Sequence, residues 1–276
     1  MHESDVIPGC VKAMKEKILL SILGLALFSC ASTSPKAPFP AFIQVDELDN
    51  VFIASLPGAR AKQLAGDPMT RRTSNRVDLP MAWSGTTGGA PGRSQEIFVL
   101  AGTLKLADIE LGRGGYAYLP AGSLGFNVTS YDGAQILYSV SDDEPDAVIR
   151  SPIIIDTGLL EWQSTDFPGI ATKALREDPG TGATTWLMRI EAGSAVPRLS
   201  SSADREGYLV SGNYQHTECA EGREITGQYT PGGYFLRPAD AVNGGPLSGG
   251  PTDAIWYLRE SRAGTEIVHE TGCQSP

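Results

Sequence analysis

From residue 45 onward the chain is built of short apolar runs broken by Gly, Pro, Asn or Asp. The runs at 96–104, 116–119, 134–140, 186–190, 208–210 and 255–258 predict strands, being brief, rich in β-branched and aromatic side chains and bounded by turn residues. No long amphipathic helix is predicted in this region. The pattern also repeats. Leu56-Pro57-Gly58, Lys62, Leu64 and Asp67-Pro68 recur as Phe167-Pro168-Gly169, Lys173, Leu175 and Asp178-Pro179 at an offset of 111. Glu96 and Val99 to Gly102 recur as Glu206 and Leu209 to Gly212 at 110, and Gly115-Tyr116 with Pro120 as Gly233-Tyr234 with Pro238 at 118. Three blocks in one order at nearly one spacing indicate an internal duplication. The extra residues of the second copy fall in a hairpin-like stretch, 215–228, containing His216 and Cys219. The expected fold is all-β: two antiparallel β-barrels or jelly rolls in tandem.

Ahead of the strands, residues 14–30 run from a basic start through an eleven-residue apolar run (18–28) to Ser29-Cys30. Such a run rises only about 16 Å as a helix, too short for a bilayer of about 30 Å, and so predicts a secretory signal with Met14 as the initiator. Leu27 to Cys30 resembles a bacterial lipobox, which implies lipidation at Cys30, anchoring to the cell envelope and sorting to the outer membrane, facing the periplasm or the surface. The expected organisation is a signal over 1–29, the lipidated cysteine and a Pro-rich tether over 30–44, barrels over 45–150 and 151–262, and a tail over 263–276. With Cys10 and Cys30 assigned to the leader and anchor, Cys219 and Cys273 remain, and they either pair or stay free.

Composition narrows the chemistry. Gly 32 and Pro 19 suit a turn-rich β protein, and the net charge of −10 argues against nucleic acid as a partner. Three histidines, one of them His2 in the leader, leave little for a metal site. Gly112, Gly114 and Ala117 imitate a dinucleotide fingerprint, but a strand follows where a helix is required.

Gln95 to Gly102 followed by Gly115 to Ser123 is similar to the two sequence motifs of the cupin superfamily, and Arg205 to Gly212 with Gly233 to Asn243 resembles them more loosely. The resemblance covers about residues 45–262 and implies a bicupin, nearest to bacterial cupins of uncharacterised function related to the C-terminal domain of ChrR-type anti-sigma factors. Cupins usually hold a divalent metal on two histidines, a glutamate and a third histidine. At those positions this chain has Gly89, Pro91, Gln95 and Gly125 in the first copy and Leu199, Ser201, Arg205 and Asn243 in the second. None is a usual transition-metal ligand, so neither metal nor cofactor is expected. Glu96 and Glu206 sit one residue further on, and strand alternation turns them away from the pocket unless the register shifts by one.

The candidate binding residues are therefore Arg205, Asn243, Tyr234, Arg237 and Gln95, with Glu96 and Glu206 as the shifted alternative. Arg205 either points inward and finds a carboxylate or an anionic ligand, or lies exposed. His216 is expected on an exposed hairpin and His269 in a solvated tail. The functional expectation is an exported, lipid-anchored protein, with no other membrane contact, that binds a small molecule (an anion if Arg205 points inward) or a protein partner. An isomerase or lyase acting on a small polar substrate and a structural envelope protein are the alternatives.

Overall fold

The computed structural model describes residues 39–67, 72–88, 92–142, 146–269 and 272–273. Cys30, Gly89 and Pro91 lie outside the described residues. Each half of the chain forms one large antiparallel sheet and one smaller one. In the first half the large sheet runs Ile153–Asp156, Gly115–Leu119, Arg93–Gly102, Ala134–Asp142, Arg72–Leu79, Arg60–Asp67, Asn50–Val51. Its partner sheet is Trp83–Thr87, Phe126–Ser130, Leu104–Leu106, Ile109–Leu111. The second half repeats the large sheet as Ile43–Gln44, Gly233–Arg237, Arg205–Ser211, Ala254–Glu260, Thr184–Ile190, Ile170–Glu177, Gln163–Ser164. Its smaller sheet pairs Leu199–Ser201 with Glu266–Val268 and Tyr214–Ala220 with Arg223–Tyr229, and Asn243 bridges to both Leu199 and Glu218. The duplication read from the sequence is thus a duplication of barrels, and the fold is an all-β tandem of cupin-type jelly rolls.

The run expected as a single strand over 96–104 is broken at Gly102. Gly102 and Gly212 both have positive φ, 74° and 88°, and a Cβ at either would strike the backbone carbonyl of Gly133 or Asp253. Only glycine turns the chain from large sheet to small sheet there.

Two short strands cross between the halves. Ile43–Gln44, expected in the tether, pairs with Tyr234 and Gly233 of the second half. Ile153–Asp156 pairs with the first half, Ile155 facing Tyr116 and Asp156 facing Gly115. Each barrel therefore has its edge strand supplied by the segment that precedes the other. The tail is also structured: Glu266–Val268 joins the second barrel's smaller sheet, and Cys219 is bonded to Cys273.

Period-two alternation gives each large sheet an inner face for its own barrel and an outer face for the other half. Ile97, Val99, Ala117, Leu119 and Ile136 point inward in the first half, whereas Phe98, Tyr116, Tyr118 and Leu137 point outward. There they pack against Leu175, Leu187, Tyr208, Tyr234 and Tyr257 of the second half. Glu96, 4% exposed, sits in this interface. It pairs with Arg176 at 3.0 Å and Arg259 at 3.4 Å, and accepts hydrogen bonds from Tyr116 (3.1 Å), Thr185 (2.8 Å) and Tyr257 (3.2 Å). Arg259 continues to Glu206 at 3.1 Å, which accepts from Tyr234 at 2.9 Å. The shifted register, with Glu96 and Glu206 in the pockets, is corrected: both glutamates face the sheet-to-sheet interface.

Burial alone would raise the Glu96 pKa, but Arg176 and Arg259, with the Thr185 and Tyr116 hydroxyls, hold it at about 2. A folded-state pKa below the unfolded value stabilises the fold above the unfolded pKa, and that stability is lost as pH falls towards 2. Glu96→Ala leaves two guanidinium groups short of a buried partner and should cost about 3–5 kcal/mol in urea unfolding at pH 7. The gap between wild type and variant should narrow as pH falls from about 4.5 towards 2; an undiminished gap would show that Glu96 charge is not the cause.

Candidate functional site

The two barrels differ inside. The first is filled by Trp83, Leu104, Leu106, Leu119, Val128 and Ile136. The second encloses a cavity of about 710 Å³. Counting from the paired glycines Gly102 and Gly212, Leu106 corresponds to His216, and counting from Gly115 and Gly233, Leu119 corresponds to Arg237. Gln95 corresponds to Arg205. At the first two of these positions the second barrel has polar side chains that need partners where the first has apolar ones that fill space.

The cavity walls are Trp186, Trp256, Tyr214, Phe235, Met188 and Ile170, and two charged clusters interrupt them. In the first, Arg237 forks onto Glu218, with Nη2 to Oε1 at 2.6 Å and Nε to Oε2 at 3.0 Å, and lies 4.1 Å over the Phe235 ring. The same Nη2 donates to His216 Nε2 at 2.9 Å. A guanidinium nitrogen can only donate, so the imidazole's own proton sits on Nδ1. His216 is buried between Tyr214 and Phe235, with ring centroids 5.6 and 6.3 Å away. Burial, opposed by Glu218 and reinforced by Arg237, lowers its pKa to about 4, and it is uncharged at neutral pH. His216 Nδ1 and the Tyr214 hydroxyl have no hydrogen-bond partner among the described residues. The expectation of an exposed His216 is corrected, because Tyr214–Ala220 is a strand of the barrel and its alternation turns positions 214 and 216 inward.

The second cluster joins Arg205 to Glu260 at 2.8 Å and to Glu266 at 2.6 Å, with the guanidinium 5.3 Å over Trp186. Ser201 donates to the same Glu260 oxygen at 2.9 Å. Arg205 thus points inward, but its charge is already matched by two carboxylates. The expected preference for an anionic ligand does not follow from this arrangement.

The other candidates divide. Arg237 and Asn243 line the cavity. The Asn243 amide nitrogen is taken up by the Leu199 carbonyl at 3.0 Å. Tyr234 is corrected: it lies on the interface face, donating to Glu206. The oxygen of Gln95 is taken up within the first barrel, accepting from the Thr87 hydroxyl and from Gly88 N at 2.8 Å. His269 is tied to Ser200 at 2.9 Å, so it is not a free tail residue. Alternation from Trp256 through Leu258 would have pointed to Glu260. Nothing local in the sequence singles out Glu266.

A divalent metal, as cupins usually hold, does not fit these side chains. Leu199 offers no donor, Ser201 is turned to Glu260, Arg205 is a cation in two ion pairs, and Asn243 is bonded to backbone. Imidazole, carboxylate and thiolate are missing from all four positions. Among the described residues there is no group of three His, Cys, Asp or Glu that could hold a metal ion.

Known structures share this architecture. A Nostoc punctiforme protein assigned provisionally as a dioxygenase is 20% identical, with a TM-score of 0.68 over 84% of this chain and 87% of its own. The Escherichia coli protein YlbA, of family DUF861, is 18% identical, with a TM-score of 0.64 over 82% and 92%. The oxalate decarboxylase of Lactobacillus farciminis is 9% identical, with a TM-score of 0.62 over 84% and 89%. At these identities the likeness is one of fold, and fold alone does not transfer chemistry. No curated protein matches the chain. The family described as a domain of unknown function, DUF4437, matches residues 43–265, which takes in both exchanged strands and both barrels up to the strand Glu266–Val268; the chain belongs to that family.

Proposed function

We propose that the second barrel binds a small organic molecule without a metal, and that the first barrel serves as its rigid twin. The observation behind this reading is the cavity of about 710 Å³ in the second barrel, at positions where the described residues of the first are packed with apolar side chains. Ligand pockets are typically of this size, with apolar and aromatic walls and a few placed polar groups. Trp186, Trp256 and Phe235 suit a planar, apolar body. The paired state of Arg205 and Arg237 leaves no cation free for an anionic ligand and so favours a ligand without negative charge. His216, neutral and donating only through Nδ1, is better placed to take part in a polar network than to act as a base at neutral pH. We further propose that the protein works at the cell envelope on a lipid attached to Cys30, which Cys30→Ser should convert to a soluble or unprocessed form in membrane fractionation.

Benzyl alcohol, a neutral aromatic probe, should quench tryptophan fluorescence, raise the melting temperature, and do both equally in the presence of a chelator. Ala174→Trp puts a large side chain into the void from a position exposed to it and should weaken the probe by about tenfold, roughly 1.4 kcal/mol. Equal binding by wild type and variant would place the probe elsewhere.

His216 carries its own signature. The unfolded imidazole takes up a proton near 6.5 and the folded one near 4, so the fold should lose stability as pH falls through that window. His216→Gln should flatten this loss in urea titrations between about pH 6.5 and pH 4, and an unchanged slope would mean the ring is not held neutral.

A further inference from the structure

The C-terminal segment 263–269 crosses the mouth of the cavity as a strap, contributing Gly264 and Glu266 to its lining. It is held mainly by backbone contacts. Ala263 N bonds Thr181 O at 3.0 Å, Ser202 N bonds Thr265 O at 3.1 Å, and Glu266–Val268 pairs with Leu199–Ser201. Gly264 passes so close to Ser201 Oγ and Glu260 Oε2 that a Cβ would meet both. Beyond the strap, Cys273 is bonded to Cys219, which follows Glu218, the carboxylate paired with the cavity residue Arg237. All three residues of the strap strand are solvent-exposed, so little apolar burial keeps it in place.

Arg205 meets two carboxylates of different standing. Glu260 is 7% exposed, belongs to the large sheet and is also bonded by Ser201. Glu266 is 46% exposed and belongs to the strap. One guanidinium between two carboxylates leaves an excess negative charge at the mouth, which repels anions. Take Glu266 away and the remaining pair is neutral, and the N–H of Nη2 that Glu266 accepts from is left without it. An exogenous carboxylate arriving there would recreate the arrangement Glu266 already makes, and guanidinium accommodates carboxylates in this paired way.

We propose that the strap is an autoinhibitory element: Glu266 is a built-in carboxylate occupying an anion subsite at Arg205, latched in place by the Cys219–Cys273 bond, and its release admits small aromatic carboxylates to the cavity. The proposal rests on the cavity reading above and adds a ligand class that the closed form excludes. The latch works through chain connectivity: with the bond intact the segment after Val268 is tied to the barrel wall, and Glu266 stays at high effective concentration over Arg205.

Isothermal titration with benzoate and benzyl alcohol separates the two ideas. Glu266→Gln should tighten benzoate by about tenfold and leave benzyl alcohol within about twofold, as for a half-exposed ion pair removed from competition. Cys273→Ser should move benzoate in the same direction, and Arg205→Gln combined with Glu266→Gln should abolish the gain. Should that double variant not fold, the guanidinium resonance of Arg205 in the Glu266→Gln protein should shift with benzoate and not with benzyl alcohol. A benzoate gain that is absent in Glu266→Gln, persists without Arg205 or fails to appear in Cys273→Ser overturns the proposal. If benzyl alcohol binds while benzoate gains nothing, only the strap idea falls. If neither probe binds any variant, the cavity reading falls with it.

Discussion

Each large sheet has two apolar faces to bury, and its own barrel can cover only one. The outer face must therefore find the other half, and strict alternation ties every inward residue to an outward neighbour. Glu96 and Glu206 are outward neighbours of this kind. They are held at the interface by Arg176, Arg259, Tyr116 and Tyr234, in a chain of alternating charge that runs from Arg176 through Glu96 and Arg259 to Glu206. Because Glu206 is fixed outward, Arg205 is fixed inward. The polar floor of the cavity is in this sense a consequence of the interface, since a one-residue slip would exchange the two.

Within that frame the duplicated barrels diverged by a few substitutions of type. Arg237 and His216, where the first barrel has leucines, cannot be accommodated singly, because a buried guanidinium without a counter-charge is costly. The chain supplies Glu218 from a lengthened hairpin and Glu260 and Glu266 from the end of the second repeat. The first barrel kept apolar filling and has no need of such partners. The asymmetry extends to the interface: Arg259 sits where the ladder of the first half places Ser139, so one half provides the cations for both glutamates.

Much of this was legible in the sequence, and the reason is physical. Repeat offsets, turn glycines and period-two runs are local signals; they located the barrels and, with the register as first read, the outward aim of Glu96 and Glu206, while the aim of Arg205 stayed open between inward and exposed. What failed depended on pairing between distant segments. His216 reads as a hairpin residue until its strand is known to close a barrel. Tyr234 reads as a pocket neighbour until its alternation is counted from Phe235. Glu266 lies in what reads as a polar tail, and only its pairing with Leu199–Ser201 brings it to Arg205. Ile43–Gln44 is two residues long, too short for any periodicity to mark as a strand.

The exchanged edge strands bear on how the molecule comes into being. The first barrel's sheet is incomplete until residues 153–156 exist, and the second barrel's edge is filled by residues 43–44, among the first of the described chain. Contacts such as Ile43 with Tyr234 span most of the polypeptide, and long-range pairing of this kind slows folding. A ribosome releasing this chain would hold a first half with an unpaired sheet edge and an outer face bearing a glutamate whose arginines are not yet made. Such a half exposes the kind of unpaired edge and apolar face through which partly folded chains aggregate. The two barrels look separable, but they are obliged to mature together, and evolution could not recombine one of them alone with another protein without also moving the short segment that precedes its twin.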